Sequence, residues 1–420
     1  MLEIGGVRVD TLAQTYKTPL FVYDEDQLRS RLQEYATFFQ SDTMETGVLY
    51  ASKAFSCKAM LRLVKEYGLS LDVVSGGELY TATAVDFDMS KVYFHGNNKS
   101  KEELEMAIDY GVGTIIVDNL MEAQMLHEMS QSIDHTIHVL LRVNPGIDAH
   151  THKYIVTGHV DSKFGISLLQ EKELVDVIRT FDQDEHLSFD GLHAHIGSQI
   201  FDKNAFIAEI EKMFGFIKHL EDTYDIHLNT LDLGGGFAAT YTSEDHPIPL
   251  QEVCSTIVSH CEKQNQELGL SIQKILIEPG RSVVAEAGST IYTVGFMKQT
   301  PNKKYVFVDG GMADNIRPAL YQAKYNADIA NKMDAPKDTV YTVAGKACES
   351  GDILIEGIAL PKCEPGDLLV TYTTGAYGYA MASHYNKNPL PGVVFCRQGK
   401  AREVIRRESY EHLIDLETDE

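Results

Sequence analysis

Eight short runs of β-branched and aliphatic residues alternate with amphipathic stretches between Gly47 and Ser282, and this alternation limits the fold more than any other feature. The runs are Gly47 to Ser52, Ser70 to Ser75, Lys91 to His95, Thr114 to Asp118, His138 to Asn144, Asp190 to Ile196, Leu228 to Leu233 and Lys274 to Glu278. Seven intervening stretches carry apolar residues three and four apart, from Ala59 to Tyr67 through to Leu250 to Leu268, the spacing of a helix with one buried face. Eight strand–helix repeats predict an α/β fold, either a closed (β/α)8 barrel or a doubly wound open sheet. The barrel is the better reading, because polar residues follow every run and closure would gather them on one rim.

The flanking sequence has another texture. After Arg281 come IYTVGFM, KYVFVDGG, YTVAGKACESGDILIEGIALP, GDLLVTYTTGAYGYA and GVVFCR, β-rich segments with frequent turn signals. The expected organisation is a barrel over residues 24–282 and a second, all-β domain made of residues 1–23 and 283–420. Leu2 to Val22 is expected to be β-rich and to join that second domain.

With 61 acidic against 37 basic side chains, the formal charge is −24. Nucleic acid and anionic membrane surfaces call for clustered Lys and Arg, so both are excluded as partners. No apolar run approaches the length of a membrane span, and MLEIGGVRVDTLAQTYKTPLF has neither a basic start nor an apolar stretch. The expected location is cytoplasmic. Six cysteines at 57, 254, 261, 348, 363 and 396 form no CxxC pair and read as reduced thiols.

Chemistry is expected where strands end. Lys53, in YASKAF, is either a solvated surface charge or, beside Tyr50, Ala51, Ala54 and Phe55, a desolvated amine able to form a Schiff base. Asp72 and SGGE close the second run, HGNNK the third, Asp118-Asn119 the fourth, and Arg142 and Asn144 the fifth. Ser75, Ser100 and Asn119 are equally good helix N-caps. In GLHAHIGSQ, alternation puts His193 and His195 on one face, with Ser198 beyond. No carboxylate or thiol stands beside them in the sequence, so no metal is expected, and an imidazole stacked on a flat cofactor is the better reading. LDLGGGF supplies Gly234, Gly235 and Gly236, whose backbone N–H groups can face an anion such as phosphate. EPGR supplies Glu278, Gly280 and Arg281. An amine, a flat imidazole, an anion cradle and a carboxylate together fit pyridoxal 5'-phosphate.

Taken in order, YASKAF, DVVSGGEL, FHGNNKS, VNPG, DSKFGI, GLHAHIGSQ, LDLGGGF, EPGRSVVAEAG, VDGGMADNIRPALY, ACESGD and GAYGYAMASHYN resemble the diaminopimelate decarboxylases, a family of the alanine-racemase-like (fold type III) pyridoxal phosphate enzymes. The resemblance covers essentially the whole chain. It implies a homodimer with shared active sites and the conversion of meso-diaminopimelate to L-lysine and carbon dioxide, the last step of lysine biosynthesis. A decarboxylase of ornithine, arginine or carboxynorspermidine on the same fold is the alternative, and a non-catalytic relative is a more distant one.

By the same resemblance Lys53 would bond the cofactor aldehyde and His195 would stack on its ring. Asp72, Ser198, Gly234, Gly235, Gly236, Gly280, Arg281 and Tyr377 would complete the cofactor site, and Glu278 would face the pyridine nitrogen. Arg281 and Arg317, helped by Tyr321, would clamp the substrate's distal carboxylate, a planar bidentate match that lysine lacks. Glu349 would take the distal ammonium and Tyr377 would touch substrate. Cys348 would act in the partner subunit's site as the acid that protonates carbon after carbon dioxide leaves. Two positions depart from the family pattern: Ser52 and Phe55 flank Lys53 in place of Leu and Asn, and Lys346 stands where proline is common. Both bear on the shape of the site, and so on substrate range. From polarity and length, Asn144 to Ile166, with His150, His152, Lys153 and Lys163, is expected to form a lid.

Overall fold

The computed structural model describes residues 1–147, 149 and 162–419. Of the expected lid, His150, His152 and Lys153 lie outside these residues. The chain divides into two compact units, one of residues 32–238 and 247–280 and the other of residues 1–31, 239–246 and 281–420.

The first unit is a closed barrel. Its strands are β1 (Glu45–Ala51), β2 (Ser70–Val73), β3 (Val92–Phe94), β4 (Thr114–Val117), β5 (Ile137–Asn144), β6 (Leu187–His193), β7 (Thr230–Asp232) and β8 (Lys274–Ile277). Each pairs in parallel with the next, and β8 pairs with β1, which closes the ring and rules out the open sheet. Parallel strands are covered on both faces and therefore read as unbroken apolar runs: all four residues of TIIV in β4 are buried. Leu49, Tyr93, Ile116, Leu140 and Leu276, from five of the strands, form one buried cluster. Helices fill all seven intervals where periodicity predicts them, including Lys203–Tyr224 and Leu250–Leu268, and a short strand, Ile166–Ser167, adds to the end of β5.

Ser75, Ser100 and Asn119 are N-caps. Each side chain accepts the backbone N–H three residues on, and Ser100 forms a full capping box with Glu103. Lys99 is likewise structural, its ammonium buried against Glu122.

The second unit is mostly sheet. Its long strand Gly288–Gln299 pairs with Leu20–Asp24, Lys304–Val308 and Leu368–Thr371, and Leu20–Asp24 pairs in turn with Gly392–Arg397. The N-terminal stretch is not all β. A two-stranded ribbon, Glu3–Ile4 with Val7–Arg8, leads into a helix, Val9–Tyr16, which buries Val9 and Leu12 in a cluster with Leu20, Val22, Ile291 and Val394. Tertiary burial of one face there overrides the low helix preference of Val and Thr. Among the described residues no helix is long and apolar enough to cross a membrane.

Candidate active site

At the carboxyl ends of the barrel strands lies a cavity of about 620 Å³, lined by Lys53, His95, Asn97, Arg142, His193, His195 and Glu278 among others. Closure explains the gathering. Lys53 follows β1, His95 follows β3, His193 ends β6 and Glu278 follows β8, so residues up to 225 positions apart meet at one rim. Lys53 stands in a short 3-10 turn whose neighbours Ala51, Ser52, Ala54 and Phe55 are buried, while Lys53 itself is exposed. The apolar flank therefore anchors the turn and does not desolvate the amine.

Glu278 is the electrostatic centre. His193 Nε2 donates to Glu278 Oε2 at 3.1 Å, and His95 Nε2 lies 2.6 Å from Oε1, too far out of line for a good hydrogen bond. Burial alone pushes the Glu278 carboxyl up, but the attraction of His95 and His193 together prevails and holds it well below the carboxylate range. Asp232 moves the other way: burial and the charge of Glu278 hold it well above its ordinary value, with Oδ1 accepting the Gly234 N–H at 2.9 Å. Burial likewise raises Asp72, whose Oδ1 is 3.8 Å from His95 Nε2. His193, lowered to about 4 by burial, is a neutral donor.

The two histidines of GLHAHIGSQ do not share a strand face. β6 begins earlier than expected, at Leu187, and ends at His193, leaving His195 in the loop. There its Nδ1 accepts the Gly235 N–H at 3.2 Å, which makes the ring neutral, and burial together with Lys53 holds its pKa well below the ordinary value. The absence of a carboxylate beside these histidines held only along the sequence, because Glu278 stands against His193 in space. Among the described residues His95, His193 and Glu278 are the one group of at least three such side chains with metal-ligand spacing.

The glycine triplet is required by packing. A Cβ on Gly235 would lie 2.3 Å from the Glu278 carbonyl oxygen, and one on Gly234, at φ +63°, 2.6 Å from the Ala194 carbonyl. Gly236, at φ +101°, sits against Gly197 and Ile200 in the loop that carries Ser198. A Cβ on Gly280 would meet Ala51 at 2.9 Å. The cradle is narrower than three free N–H groups. Those of Gly234 and Gly235 are bonded to Asp232 and His195, and among the described residues that of Gly236 has no acceptor.

In the sheet unit Arg281 Nη1 donates to the Tyr241 hydroxyl at 2.8 Å and its guanidinium lies 4.8 Å from the Tyr377 ring centre. Arg317 is buried, with Tyr241 at 4.9 Å and Tyr325 at 5.6 Å, and it donates to the Tyr325 hydroxyl. Two arginines thus share the ring of Tyr241. Tyr321 is exposed at the end of the helix Arg317–Tyr321, and among the described residues the rings around Arg317 are Tyr241 and Tyr325. Cys348 and Glu349 are exposed in a loop pinned by the Cys348 N–H on Asn386 Oδ1 at 2.9 Å. Sequence reading missed Tyr241 and Tyr325, which carry no motif of their own, and left His95 without a role among the polar residues after the third run.

Residues 25–285 match the family described as "Pyridoxal-dependent decarboxylase, pyridoxal binding domain". The chain is 49% identical over 417 residues to the diaminopimelate decarboxylase of Bacillus subtilis, covering 99% of this chain and 95% of that one. It belongs to the diaminopimelate decarboxylase family. The crystal structure of diaminopimelate decarboxylase from M. jannaschii superposes with a TM-score of 0.92 at 32% identity, covering 100% of this chain and 98% of that one. The same enzyme in co-complex with L-lysine gives 0.91, covering 98% and 94%.

The barrel residues fit the family's cofactor. Pyridoxal phosphate calls for an amine and a ring-nitrogen partner in one cavity, which Lys53 and an ionised Glu278 supply, and for an anion site, for which the Gly236 N–H beside Gly197 is suited.

Proposed function

We propose that this chain is a pyridoxal phosphate enzyme that removes one carboxylate of meso-2,6-diaminopimelate to give L-lysine and carbon dioxide, the last step of lysine biosynthesis, and that it works in the cytoplasm as a homodimer. The observation that carries the reaction type is Glu278, an anion held between two imidazoles in the cavity that Lys53 enters. When bound, the cofactor supplies a protonated pyridine ring, conjugated to the reacting carbon, into which the electron pair left by carbon dioxide can spread.

The residues divide this work. Lys53 Nζ would hold the cofactor through its aldehyde carbon, with loss of water, and Glu278 would keep the proton on the ring nitrogen, which an arginine there could not do. His195, neutral and fixed by Gly235, would offer a flat face to the ring. The Gly236 N–H, with Ser198, Gly280, Arg281 and Tyr377, would bind the phosphate, and Asp72 would complete the cofactor site. Arg281 and Arg317 hold the substrate's distal carboxylate, their guanidinium planes set by Tyr241, Tyr325 and Tyr377. Tyr321 would assist them, Glu349 would take the distal ammonium, and Cys348 Sγ would be the acid that supplies the proton replacing the lost carboxylate. The last two are exposed on this chain, as side chains lent to a second copy would be.

The test is direct. Purified protein is expected to carry a visible cofactor absorbance that Lys53→Ala abolishes, and to release carbon dioxide from meso-diaminopimelate but not from ornithine, lysine or arginine offered singly. Turnover of ornithine without turnover of meso-diaminopimelate would end this reading.

A further inference from the structure

Three strands meet at the carboxylate of Glu278. His95 comes from the end of β3 and His193 from the end of β6, and each presents Nε2 to a different oxygen, at 2.6 Å from Oε1 and 3.1 Å from Oε2. The two rings pack edge to face, 4.8 Å apart at 71°, and all three side chains are less than a tenth exposed. Such an arrangement cannot come from local sequence, since 98 residues separate His95 from His193 and 85 separate His193 from Glu278.

We infer that His95 and His193 are positioning residues that fix Glu278 as an anion and fix the direction of its carboxylate, so that the proton on the cofactor's ring nitrogen is held by the three side chains jointly. The inference rests on the assignment of Glu278 to that nitrogen given above.

The physical case is competition among buried acids. Asp72 on β2, Asp232 on β7 and Glu209 on the helix Lys203–Tyr224 all act on Glu278 or on its neighbours, and all are buried. Neither oxygen of Glu209 has a hydrogen-bond partner among the described residues. The cations near the cluster are Arg142 on β5 and Lys53 after β1, and the two Glu278 oxygens each face an imidazole. Several carboxyls crowded in a low-dielectric site cannot all ionise. The imidazoles decide which one does: Glu278 is held low while Asp72, Asp232 and Glu209 are held high. With the imidazoles removed, burial and the neighbouring acids would return the proton to Glu278, and a neutral acid no longer holds a proton on the ring.

The experiment uses holoenzyme reconstituted with ring-¹⁵N pyridoxal phosphate and follows the nitrogen shift from pH 6 to 9. Wild type is expected to stay protonated throughout. His95→Leu and His193→Leu are expected to titrate within that range and to lose kcat roughly tenfold or more, as when a residue orienting a functional group is removed, with KM within about twofold. His95→Gln and His193→Gln keep an N–H donor and are expected to recover part of the shift, a rescue that simple cavity filling would not give; where a Leu variant fails to fold, its Gln partner carries the comparison through a shift intermediate between wild type and Glu278→Gln. Glu278→Gln separates the two levels of the argument. If it changes the nitrogen shift and the four histidine variants do not, the inference about His95 and His193 falls alone. If it leaves the shift unchanged, the assignment of Glu278 falls and the inference with it. Stoichiometric zinc in the purified protein would also overturn the inference, by making the three side chains ligands.

Discussion

Replacing Lys99 with Met should unfold the barrel at a much lower temperature, although Lys99 touches nothing in the cavity's chemistry. Its side chain is 1% exposed, and its ammonium donates to Glu122 Oε1 at 2.6 Å, the Ile116 carbonyl at 2.7 Å and the Gly96 carbonyl at 2.9 Å, using all three N–H bonds. Glu122 Oε2 accepts the Asp118 N–H at 3.0 Å. Burial already pushes the Glu122 carboxyl up, and Lys99 is the largest opposing influence. Taking away one partner of a buried, fully bonded ion pair costs about 3–5 kcal/mol, because the other charge stays buried without compensation. For a unit of this size each kcal/mol moves Tm by roughly 2–4 °C, so the barrel's calorimetric transition should fall by roughly 6–20 °C. Lys99→Met combined with Glu122→Leu removes both charges and should regain most of that loss, since well-packed apolar replacements of buried pairs are often neutral. A single variant that melts within about 2 °C of wild type, or a double variant no better than the single, would show that the pair is solvated and refute the reasoning.

Asp314 gives a pH prediction of definite sign. Burial raises its carboxyl to about 7, so the folded state holds the proton that the unfolded state loses near pH 4; the stability is full below that point and is lost as pH rises through about 7. Asp314→Asn should therefore flatten the fall between pH 4 and 7 in denaturant titrations of the sheet unit and raise stability at pH 8 by up to about 4 kcal/mol, and an unchanged slope would contradict it. Gly235→Ala would force a Cβ to within 2.3 Å of the Glu278 carbonyl, so cofactor affinity measured by fluorescence titration should drop at least tenfold at a cost of about 1–3 kcal/mol in stability. Cys348→Ala should lower kcat for meso-diaminopimelate at least tenfold while leaving cofactor absorbance and affinity intact, and undiminished turnover would remove its role as acid.

Much of this protein was legible along the chain. Strand–helix alternation announced the barrel, and because closure places every strand's carboxyl end on one rim, Lys53, His195, Glu278 and the glycine triplet could be grouped before any coordinates. Residue type carried that grouping: an amine, an imidazole, a carboxylate and a run without Cβ atoms have few joint uses. The N-terminal helix Val9–Tyr16 escaped because its sequence favours β locally and only the burial of Val9 and Leu12 decides otherwise. Lys99 stood among the polar rim residues and proved to be half of a buried ion pair, a role fixed by a partner twenty-three residues away, whereas the cap at Ser100 was legible because its partner is three residues on.

The sequence by itself determined the strand–helix order of the barrel, the acidic balance and the cofactor-type inventory, because these depend on composition and on spacing within a single strand or turn. Only the tertiary structure decided which acid ionises. Glu278, Asp72, Asp232 and Glu209 are alike as acids and all are buried, which pushes each of them up, and Glu278 alone goes down because His95 and His193 are both brought across the barrel to its oxygens. Electrostatic energy depends on distance and dielectric, and neither is written in the order of residues.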